Sequence, residues 1–244
     1  MKKISIAIVL LLIWPVSMAF AMDKSEILQI IDRNLNPTTY EMYRKLINIE
    51  PDGTKKEFVI YMVKKGNDRV ASLFLAPESE KGRATLRLDE NMWLYIPSVG
   101  KPIRITSLQS VVGGVFNNSD IMRLDYSDEY DVVSVKDETD NQILELKAKN
   151  NTVAYDKLLM TVKKDLLLPV RIECYAASGM LLKTLYFKKI KDFGNDIVRP
   201  SVVETDSPLY KNYKSVMIFA KIREKELTDE VFTLNYISKI GELR

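Results

Sequence analysis

Residues 93–120 read WLYIPSVGKPIRITSLQSVVGGVFNNSD, a stretch that interrupts an otherwise regular series of short strands. It begins as a strand and then turns at a proline and a glycine. The remainder, from residue 105 to residue 124, is too long for a turn, and helical pieces fit at residues 108–112 and 119–124. The stretch therefore predicts one strand followed by a helical insertion.

On both sides of the insertion the hydrophobic pattern has a period of two. Runs rich in β-branched and aromatic residues follow one another about every ten residues, and each run ends at a turn signal. The runs are YEMYRKLINIE, KEFVIYMVKK, RVASLFLA, RATLRLD, MWLYIP, EYDVVSVKD, QILELKAK, YDKLLMTVKK, LPVRIECYA, LLKTLYFKKI, IVRPSVVETD and SVMIFAKIRE. About twelve strands without βαβ alternation predict antiparallel meanders in a mainly β protein.

One amphipathic helix precedes the strands, in KSEILQIIDRNLNP. Asp23 or Ser25 can cap its start, and Pro37 ends it. Its apolar face consists of Ile27, Ile30, Ile31 and Leu35. A large twisted antiparallel sheet must cover its inner face, and this helix and the insertion are the only covers that the sequence offers.

Several strands are apolar at both odd and even positions, as in EFVIYMV, SLFLA and LLMTV. A sheet buried on one face would instead alternate between apolar and polar residues. Either apolar groups are scattered over the exposed face, or the inner face carries more apolar surface than two small helices can fill. The second alternative would leave an apolar cavity, and periodicity does not decide between the two.

The first 21 residues have the pattern of a cleaved secretory signal peptide. Lys2 and Lys3 precede an apolar run at residues 4–13, and Ala19 and Ala21 place small residues before a cleavage site. The apolar run is shorter than the ~20 residues that a membrane-spanning helix needs. We therefore expect residues 22–244 to form a single mature domain in a bacterial periplasm, with no later stretch that could span a bilayer.

Composition argues against several classes of function. Removing Lys2 and Lys3 from the 36 basic residues leaves 34 against 33 acidic ones, a balance that disfavours a nucleic-acid binder. The chain has no histidine, which removes His-dependent catalytic triads and His-based metal sites. Cys174 is the only cysteine and lies in the alternating run VRIECYA, so we expect a buried, unreactive thiol rather than a nucleophile.

Two acidic clusters could supply oxygen ligands to calcium. They are Asp125, Asp128, Glu129 and Asp131, and then Asp137, Glu138 and Asp140. Their spacing lacks the D-x-D-x-D-G pattern of a calcium loop. We expect solvated turns that protect a sheet edge, and no metal site.

The block LDENMWLYIPSVGKPIRI, followed by GGVFNNSD and LDYSDEY, resembles the LolA-like family of periplasmic lipoprotein carriers, in its branch of outer membrane lipoprotein-sorting proteins. The order of elements is similar over most of the mature chain. A signal peptide and an amphipathic helix come first, then strands, a Trp-x-Tyr-x-Pro strand, a helical insertion and further strands. LPVRIECYAASGMLLKTLYF resembles a strand-turn-strand unit of the family.

The resemblance implies a mainly β (α+β) fold, a single curved antiparallel sheet or incomplete β-barrel. An N-terminal helix and a mid-chain helical lid would cover its apolar concave face. Family members carry lipoprotein acyl chains or related lipids, use no cofactor and catalyse no covalent chemistry. In the narrower group of lipoprotein carriers an arginine inside the cavity holds the lid, and Arg83 and Arg87 are the candidates here.

For the cavity wall, the candidates lie on the apolar strands. They are Phe58, Ile60, Met62, Leu73, Leu75, Trp93, Tyr95 and Met160. Trp93 and Tyr95 share a strand parity and therefore one face of the sheet. They either line the cavity or belong to an ordinary aromatic core.

For the lid and its hinges, the candidates surround the insertion. They are Lys101, Arg104, Gly113, Gly114, Phe116, Ser119 and Asp120. Paired glycines permit the backbone to turn or pack closely, and Ser119 can cap a lid helix. Ser and Lys could in principle act as nucleophile and base, but no motif frames them. We expect a salt bridge and a helix cap that hold the lid at its hinges.

The leading hypothesis is a monomeric periplasmic carrier of an acylated lipoprotein or a related lipid. It would receive this cargo from an inner-membrane transporter and move it toward the outer membrane. The alternative is a non-catalytic adaptor or envelope-stress sensor that docks a membrane transporter or regulator through its edge strands. An enzyme is disfavoured because the chain lacks histidine and no motif frames its Ser and Lys residues.

Overall fold

The structure is a computed structural model that describes residues 23–244, so the predicted signal peptide at residues 1–21 lies outside the described residues. Thirteen β-strands in the described part form one antiparallel sheet. They are β1 (Thr39–Ile49), β2 (Lys55–Lys65), β3 (Arg69–Ala76), β4 (Ala84–Leu88), β5 (Asn91–Tyr95), β6 (Pro102–Ile105), β7 (Tyr130–Asp137), β8 (Asn141–Ala148), β9 (Lys157–Lys163), β10 (Leu168–Tyr175), β11 (Leu181–Asp192), β12 (Val198–Asp206) and β13 (Lys214–Glu224). The predicted fold, mainly β with a single open antiparallel sheet, is confirmed. The short strand β6 is the one that the sequence pattern missed.

The strand order shows how the chain builds this sheet. Neighbouring strands are consecutive in sequence except at one place, where β1 pairs with β13. One meander runs from β1 to β6 and a second from β7 to β13, and the β1–β13 ladder joins them. The insertion, which the structure bounds at residues 106–129, connects the two edge strands β6 and β7 and therefore has to cross the sheet.

The insertion crosses one face of the sheet, which we call the inner face and which carries Met62 of β2. Arg87 on β4 and Lys183 on β11 reach groups of the insertion only two residues apart, Met122 and Asp120. In a flat sheet, six interstrand steps would separate β4 from β11 by about 29 Å. Two side chains cannot bridge that distance, so the sheet curves around the insertion.

Helix α1 (Lys24–Leu35) covers the inner face beside the insertion. It packs against β7, β10 and β12 and against a one-turn helix of the insertion. Its buried apolar residues are Ile27, Leu28, Ile31 and Leu35. The predicted amphipathic helix is thereby confirmed, and it begins after Asp23 and ends before Pro37 as expected.

The insertion contains two one-turn helices, α2 (Asn118–Ile121) and α3 (Tyr126–Glu129). The prediction of a helix at residues 108–112 is wrong, because Val112 and Gly113 have φ angles of 47° and 74°. An α-helix needs negative φ throughout, so these two residues form a turn instead. The piece predicted at residues 119–124 is shorter than expected and begins at Asn118.

The outer face of β2 to β5 is buried too, under the end of the chain. After β13, residues 225–244 fold back over this face and include two 3-10 helices, Asp229–Phe232 and Ile237–Leu243. We call residues 225–244 the C-terminal cap. The resulting second core contains Tyr61, Val63, Ala71, Leu73, Ala84, Leu86, Leu227, Val231, Phe232, Ile237 and Ile240. Strands β2 and β3 are apolar at both parities because both of their faces are covered.

The cap should contribute measurably to stability. We predict that Ile240→Ala, at a side chain with 0% exposure, lowers the free energy of unfolding by about 2–5 kcal/mol because it leaves a cavity in the second core. Leu234→Ala is the matched control in the same segment, since Leu234 is 41% exposed and its truncation should change stability by less than about 0.5 kcal/mol. Urea unfolding followed by Trp93 emission measures both. Equal unfolding midpoints for the two variants would contradict this account of the cap.

Candidate functional site

A cavity of about 70 Å³ lies between the inner face and the insertion. Most of its wall is apolar or aromatic. The sheet contributes Met42, Met62, Ile172, Leu185, Met217 and Phe219, and four tyrosines add their rings: Tyr40, Tyr126, Tyr130 and Tyr155. The insertion closes it with Phe116 and Ile121.

The structure divides the predicted cavity residues between the two faces of the sheet. Met62 lines the cavity. Phe58, Ile60 and Met160 are buried in the same core but do not reach the cavity surface. The placement of the other four on the cavity wall is wrong: Leu73, Leu75, Trp93 and Tyr95 belong to the second core, under the C-terminal cap.

The strand register explains this division. Leu73 of β3 pairs with Tyr61 of β2, and Trp93 of β5 pairs with Leu86 of β4. Directly paired residues of antiparallel strands lie on the same face, so these four residues all point outward. Trp93 and Tyr95 do share one face as predicted, but it is the face opposite the cavity.

One attachment of the insertion is a buried pair between Lys183 of β11 and Asp120. Lys183 Nζ lies 2.8 Å from Asp120 Oδ2 and donates to the carbonyl of Val115 at 2.6 Å. Tyr155 donates its hydroxyl hydrogen to Asp120 Oδ1 at 2.8 Å. The salt bridge expected at Asp120 thus exists, but its partner is Lys183 and not the predicted Lys101 or Arg104.

A capping box fixes the helix that carries Asp120. The Asn117 side chain accepts from the Asp120 N–H at 3.1 Å, and Asp120 Oδ2 accepts from the Asn117 N–H at 2.9 Å. Ser119 is therefore not the cap that was predicted, and its hydroxyl instead donates to Asn117 Oδ1 at 2.8 Å. The cap residue lies two positions earlier in the chain.

Two further cations hold the second half of the insertion. Lys64 of β2 pairs with Asp125 at 2.5 Å, and Arg87 of β4 pairs with Glu129 and donates to the Met122 carbonyl at 3.1 Å. Asp125 and Glu129 are therefore partly buried ion-pair partners rather than part of the solvated turn that was expected, whereas Asp128 and Asp131 of the same cluster are exposed.

The resemblance implies an arginine inside the cavity that holds the lid. The predicted Arg87 holds the insertion as described above but does not line the cavity, whereas Arg44 of β1 lines it and donates to the Ile121 carbonyl at 2.6 Å. Arg83, the other predicted candidate, pairs with Glu80 in the β3–β4 turn at 3.0 Å and does not line the cavity. Arg44 was missed, although it lies in phase with the apolar inner residues of β1.

Of the remaining hinge candidates, some contribute to the insertion as predicted and others lie away from it. Phe116 is buried in the cavity wall, and Gly113 needs its left-handed φ. A Cβ on Gly114 would collide with the Asn48 side chain, so this glycine permits close packing on β1. Lys101 is exposed, and Arg104 stacks over Trp93 at 5.7 Å on the outer face, so the prediction that they hold the lid is wrong.

Asp32 joins α1 to the insertion. Its carboxylate accepts from the backbone N–H groups of Tyr126 and Ser127, each at 2.8 Å, and lies 3.8 Å from Arg123 Nη1. Burial raises the pKa of Asp32 to about 6, although Arg123 and the two N–H groups act in the opposite direction. The protonated, neutral form of Asp32 is therefore more favoured at this junction than it is for an aspartate in water.

Cys174 lies in the cavity wall and is buried, as its strand pattern predicts. Burial raises the pKa of its thiol well above the ordinary value, which leaves little thiolate at neutral pH. Within residues 23–244, no group of three or more His, Cys, Asp or Glu side chains could hold a metal ion.

An open, curved antiparallel sheet with a helix and an insertion over an apolar cavity defines a LolA-like protein. A family model with the description "Uncharacterized protein" matches residues 66–239, and the chain belongs to this family. No helix within residues 23–244 has the length and apolar character needed to cross a membrane.

Solved structures agree with this class. A LolA superfamily protein from Nitrosomonas europaea is 26% identical, with a TM-score of 0.80 over 88% of this chain and 100% of that chain. A domain described as an outer membrane lipoprotein-sorting protein from Vibrio parahaemolyticus is 17% identical, with a TM-score of 0.74 over 88% and 98%. A DUF1329 family protein from Desulfovibrio piger is 20% identical, with a TM-score of 0.75 over 88% and 97%. The resemblance is confirmed, and no curated protein matches the chain.

The pKa of Asp32 predicts a specific pH dependence. An unfolded Asp has a pKa of about 3.9, so the folded chain binds more protons than the unfolded chain between about pH 4 and pH 6. The stability that protonated Asp32 contributes is therefore lost as the pH rises through about 6. We expect Asp32→Asn to remove this loss. Between about pH 4 and pH 6 the free energy of unfolding of the native protein should therefore fall by roughly 3 kcal/mol relative to that of the variant.

Urea unfolding of the native protein and of Asp32→Asn at several pH values measures the difference. Asp131→Asn is the control, because Asp131 is an exposed carboxylate. Parallel stability curves for the native protein and Asp32→Asn would show that Asp32 titrates normally.

Proposed function

We propose that the chain is a periplasmic carrier, exported by its signal peptide, that binds the acyl chain of a lipoprotein or a related lipid in the inner cavity. The observation that carries the proposal is an apolar cavity whose cover, the insertion, is held to the sheet by ion pairs. The LolA superfamily relative at 26% identity supports a lipid or lipoprotein carrier-like role.

The size of the cavity requires the cover to move. Pockets that enclose small organic ligands have volumes of about 300–1,000 Å³. The cavity beneath the insertion has about 70 Å³, so it is too small for a long acyl chain in this arrangement. Displacement of the insertion would expose the apolar wall beneath it. The ion pairs that Lys64, Arg87 and Lys183 make with the insertion would then break, and water would solvate their charged groups.

The energetics suit reversible binding. Burial of each CH₂ contributes about 0.8 kcal/mol, so a fourteen-carbon chain has up to about 10 kcal/mol available. Association and the opening of the cover reduce this total. The remainder is appropriate for a carrier that must also release its cargo.

The cavity side chains also support a non-catalytic role. The Cys174 thiol is not activated, since burial raises its pKa. Ser119 is hydrogen-bonded to Asn117, and Lys183 is paired with Asp120. No nucleophile therefore stands beside a free base among these residues.

We test the proposal with the neutral fluorescent probe N-phenyl-1-naphthylamine and its displacement by tetradecanol from delipidated protein. Trp93 is unsuitable as a reporter because it lies on the outer face. We predict saturable binding of both compounds, and that Ala154→Phe, in the cavity wall, weakens it about tenfold or more by filling the space beneath the cover.

Ala220→Phe is the matched control, because Ala220 is exposed on β13 and its substitution should leave binding unchanged. Circular dichroism establishes that both variants are folded. Mass spectrometry of lipids that co-purify from the periplasm identifies the natural cargo. Folded native protein that binds neither compound and carries no lipid would refute the carrier and favour a non-catalytic adaptor.

A further inference from the structure

Three arginines meet at one part of the cavity wall: Arg44, Arg123 and Arg199. Arg44 is 4% exposed and Arg199 is 2% exposed. Arg199 donates to the Leu35 carbonyl at 2.5 Å, to Asn36 Oδ1 and to the Pro200 carbonyl at 3.3 Å, and its guanidinium lies 4.2 Å from the Phe219 ring centroid. Every one of these partners is neutral.

Two of the arginines also keep unused donors in the interior. Arg44 Nε and Arg123 Nη1 are buried without a hydrogen-bond partner among the described residues. A buried charged donor that lacks its hydrogen bond is more unfavourable than a neutral one. The described protein atoms therefore leave part of this cluster unsatisfied.

The charges around the cluster do not balance. Asp120 and Glu129 are the carboxylates in the cavity wall, and each is already paired with a further cation, Lys183 and Arg87. Asp32 lies 3.8 Å from Arg123, and its oxygens accept two backbone N–H groups. The charge of Asp125 also acts on Arg123, but Asp125 is paired with Lys64. Of these described carboxylates, Asp32 is therefore the one that is not paired with a cation outside the cluster.

The arginines also affect one another. Burial, with a smaller contribution from the charge of Arg123, lowers the pKa of Arg44 to about 10. Burial, with contributions from Arg123 and Arg44, lowers the pKa of Arg199 to about 9. An anion placed between these groups would offset their mutual repulsion and raise both pKa values.

From this geometry we infer that the ligand is an anionic amphiphile. Its carboxylate or phosphate headgroup binds Arg44, Arg123 and Arg199, and its acyl chain lies along the apolar wall. The inference rests on the proposed function and names the chemical class of its ligand. Guanidinium groups bind carboxylate and phosphate through paired N–H donors, which an esterified, uncharged acyl group cannot use.

A purely structural role explains the cluster less well. Arg44 and Arg199 do hold the insertion and α1 through carbonyl groups, but a neutral amide could donate those hydrogen bonds. Replacement of a buried charge that has only neutral partners removes its desolvation cost. We therefore expect Arg44→Gln and Arg199→Gln to remain folded and to lose ligand discrimination rather than stability.

The experiment compares four fourteen-carbon compounds as displacers of N-phenyl-1-naphthylamine from the delipidated mature protein, each below its micelle concentration. They are tetradecanoate, tetradecyl phosphate, tetradecanol and tetradecyltrimethylammonium. We expect the two anions to bind about tenfold or more tighter than tetradecanol, and the cation to bind more weakly, because each hydrogen bond to a charged group is worth about that factor. Inorganic phosphate and acetate form a separate arm and should neither displace the probe nor raise the melting temperature at millimolar concentration.

Arginine-to-glutamine variants test which residues cause the preference for anionic ligands. Arg44→Gln and Arg199→Gln should each reduce the ratio of anion to alcohol affinity about tenfold. Arg171→Gln is the control with the same charge change, on β10 beside the cavity residue Ile172 but with a side chain 47% exposed. If either buried variant unfolds, Arg123→Gln replaces it, since the Arg123 side chain is 21% exposed.

The outcomes separate the inference from the proposed function. Equal affinity of native protein for tetradecanol and the two anions overturns the inference and leaves the carrier intact. Stabilisation by inorganic phosphate alone assigns the cluster to a free anion and also overturns it. Failure of every fourteen-carbon compound to bind refutes the carrier and the inference together.

Discussion

The connection between the two edge strands is the constraint on which the rest of the structure depends. β6 and β7 stand at opposite ends of the strand order, yet residues 106–129 join them directly. A flat sheet of thirteen strands would be about 58 Å wide, and a connection of this length that also folds two helical turns could cross it only with all its other residues almost fully extended. The sheet therefore curves, and the insertion lies in the hollow that the curvature creates.

The two covers of the sheet are held by different forces. The C-terminal cap packs on the outer face through apolar side chains such as Phe232 and Ile240, and such packing is a net source of stability. The insertion is held on the inner face by buried ion pairs at Lys64, Arg87 and Lys183. Desolvation offsets much of the attraction in a buried ion pair, so these contacts specify position more than they add stability. Attachment by ion pairs therefore suits a cover that opens and closes over a cavity, as the proposed function requires.

The cavity itself combines two chemistries that are separated in the wall. Methionine, aromatic and aliphatic side chains from the central strands form the apolar part, while Arg44 and Arg199 bring charge to the same face. Buried arginines whose partners are all neutral lower the stability of the fold because their desolvation is not compensated. Their presence is understandable where function and not stability selects the residue.

Much of this could be predicted from local patterns. The period of two predicted the strands because side-chain direction alternates along each strand regardless of what covers it. The 3.6 period predicted α1 for a similar reason. Arg44 could also have been found, since it stands in phase between Met42 and Leu46 on β1, and a charge at an apolar position is a local signal.

The face of the sheet on which each residue lies could not be predicted in this way. Strand parity states that Trp93 and Tyr95 point to one side, but only the C-terminal cap, more than 130 residues later, shows that this side is the outer one. The partners of the buried cations are equally remote, as with Lys183 and Asp120. The sequence alone determined which elements form and which residues share a face, because those follow from backbone geometry over a few residues. Only the tertiary structure decided which face encloses the cavity and which charges meet there, because both depend on the β1–β13 ladder and on the path of the insertion between the edges.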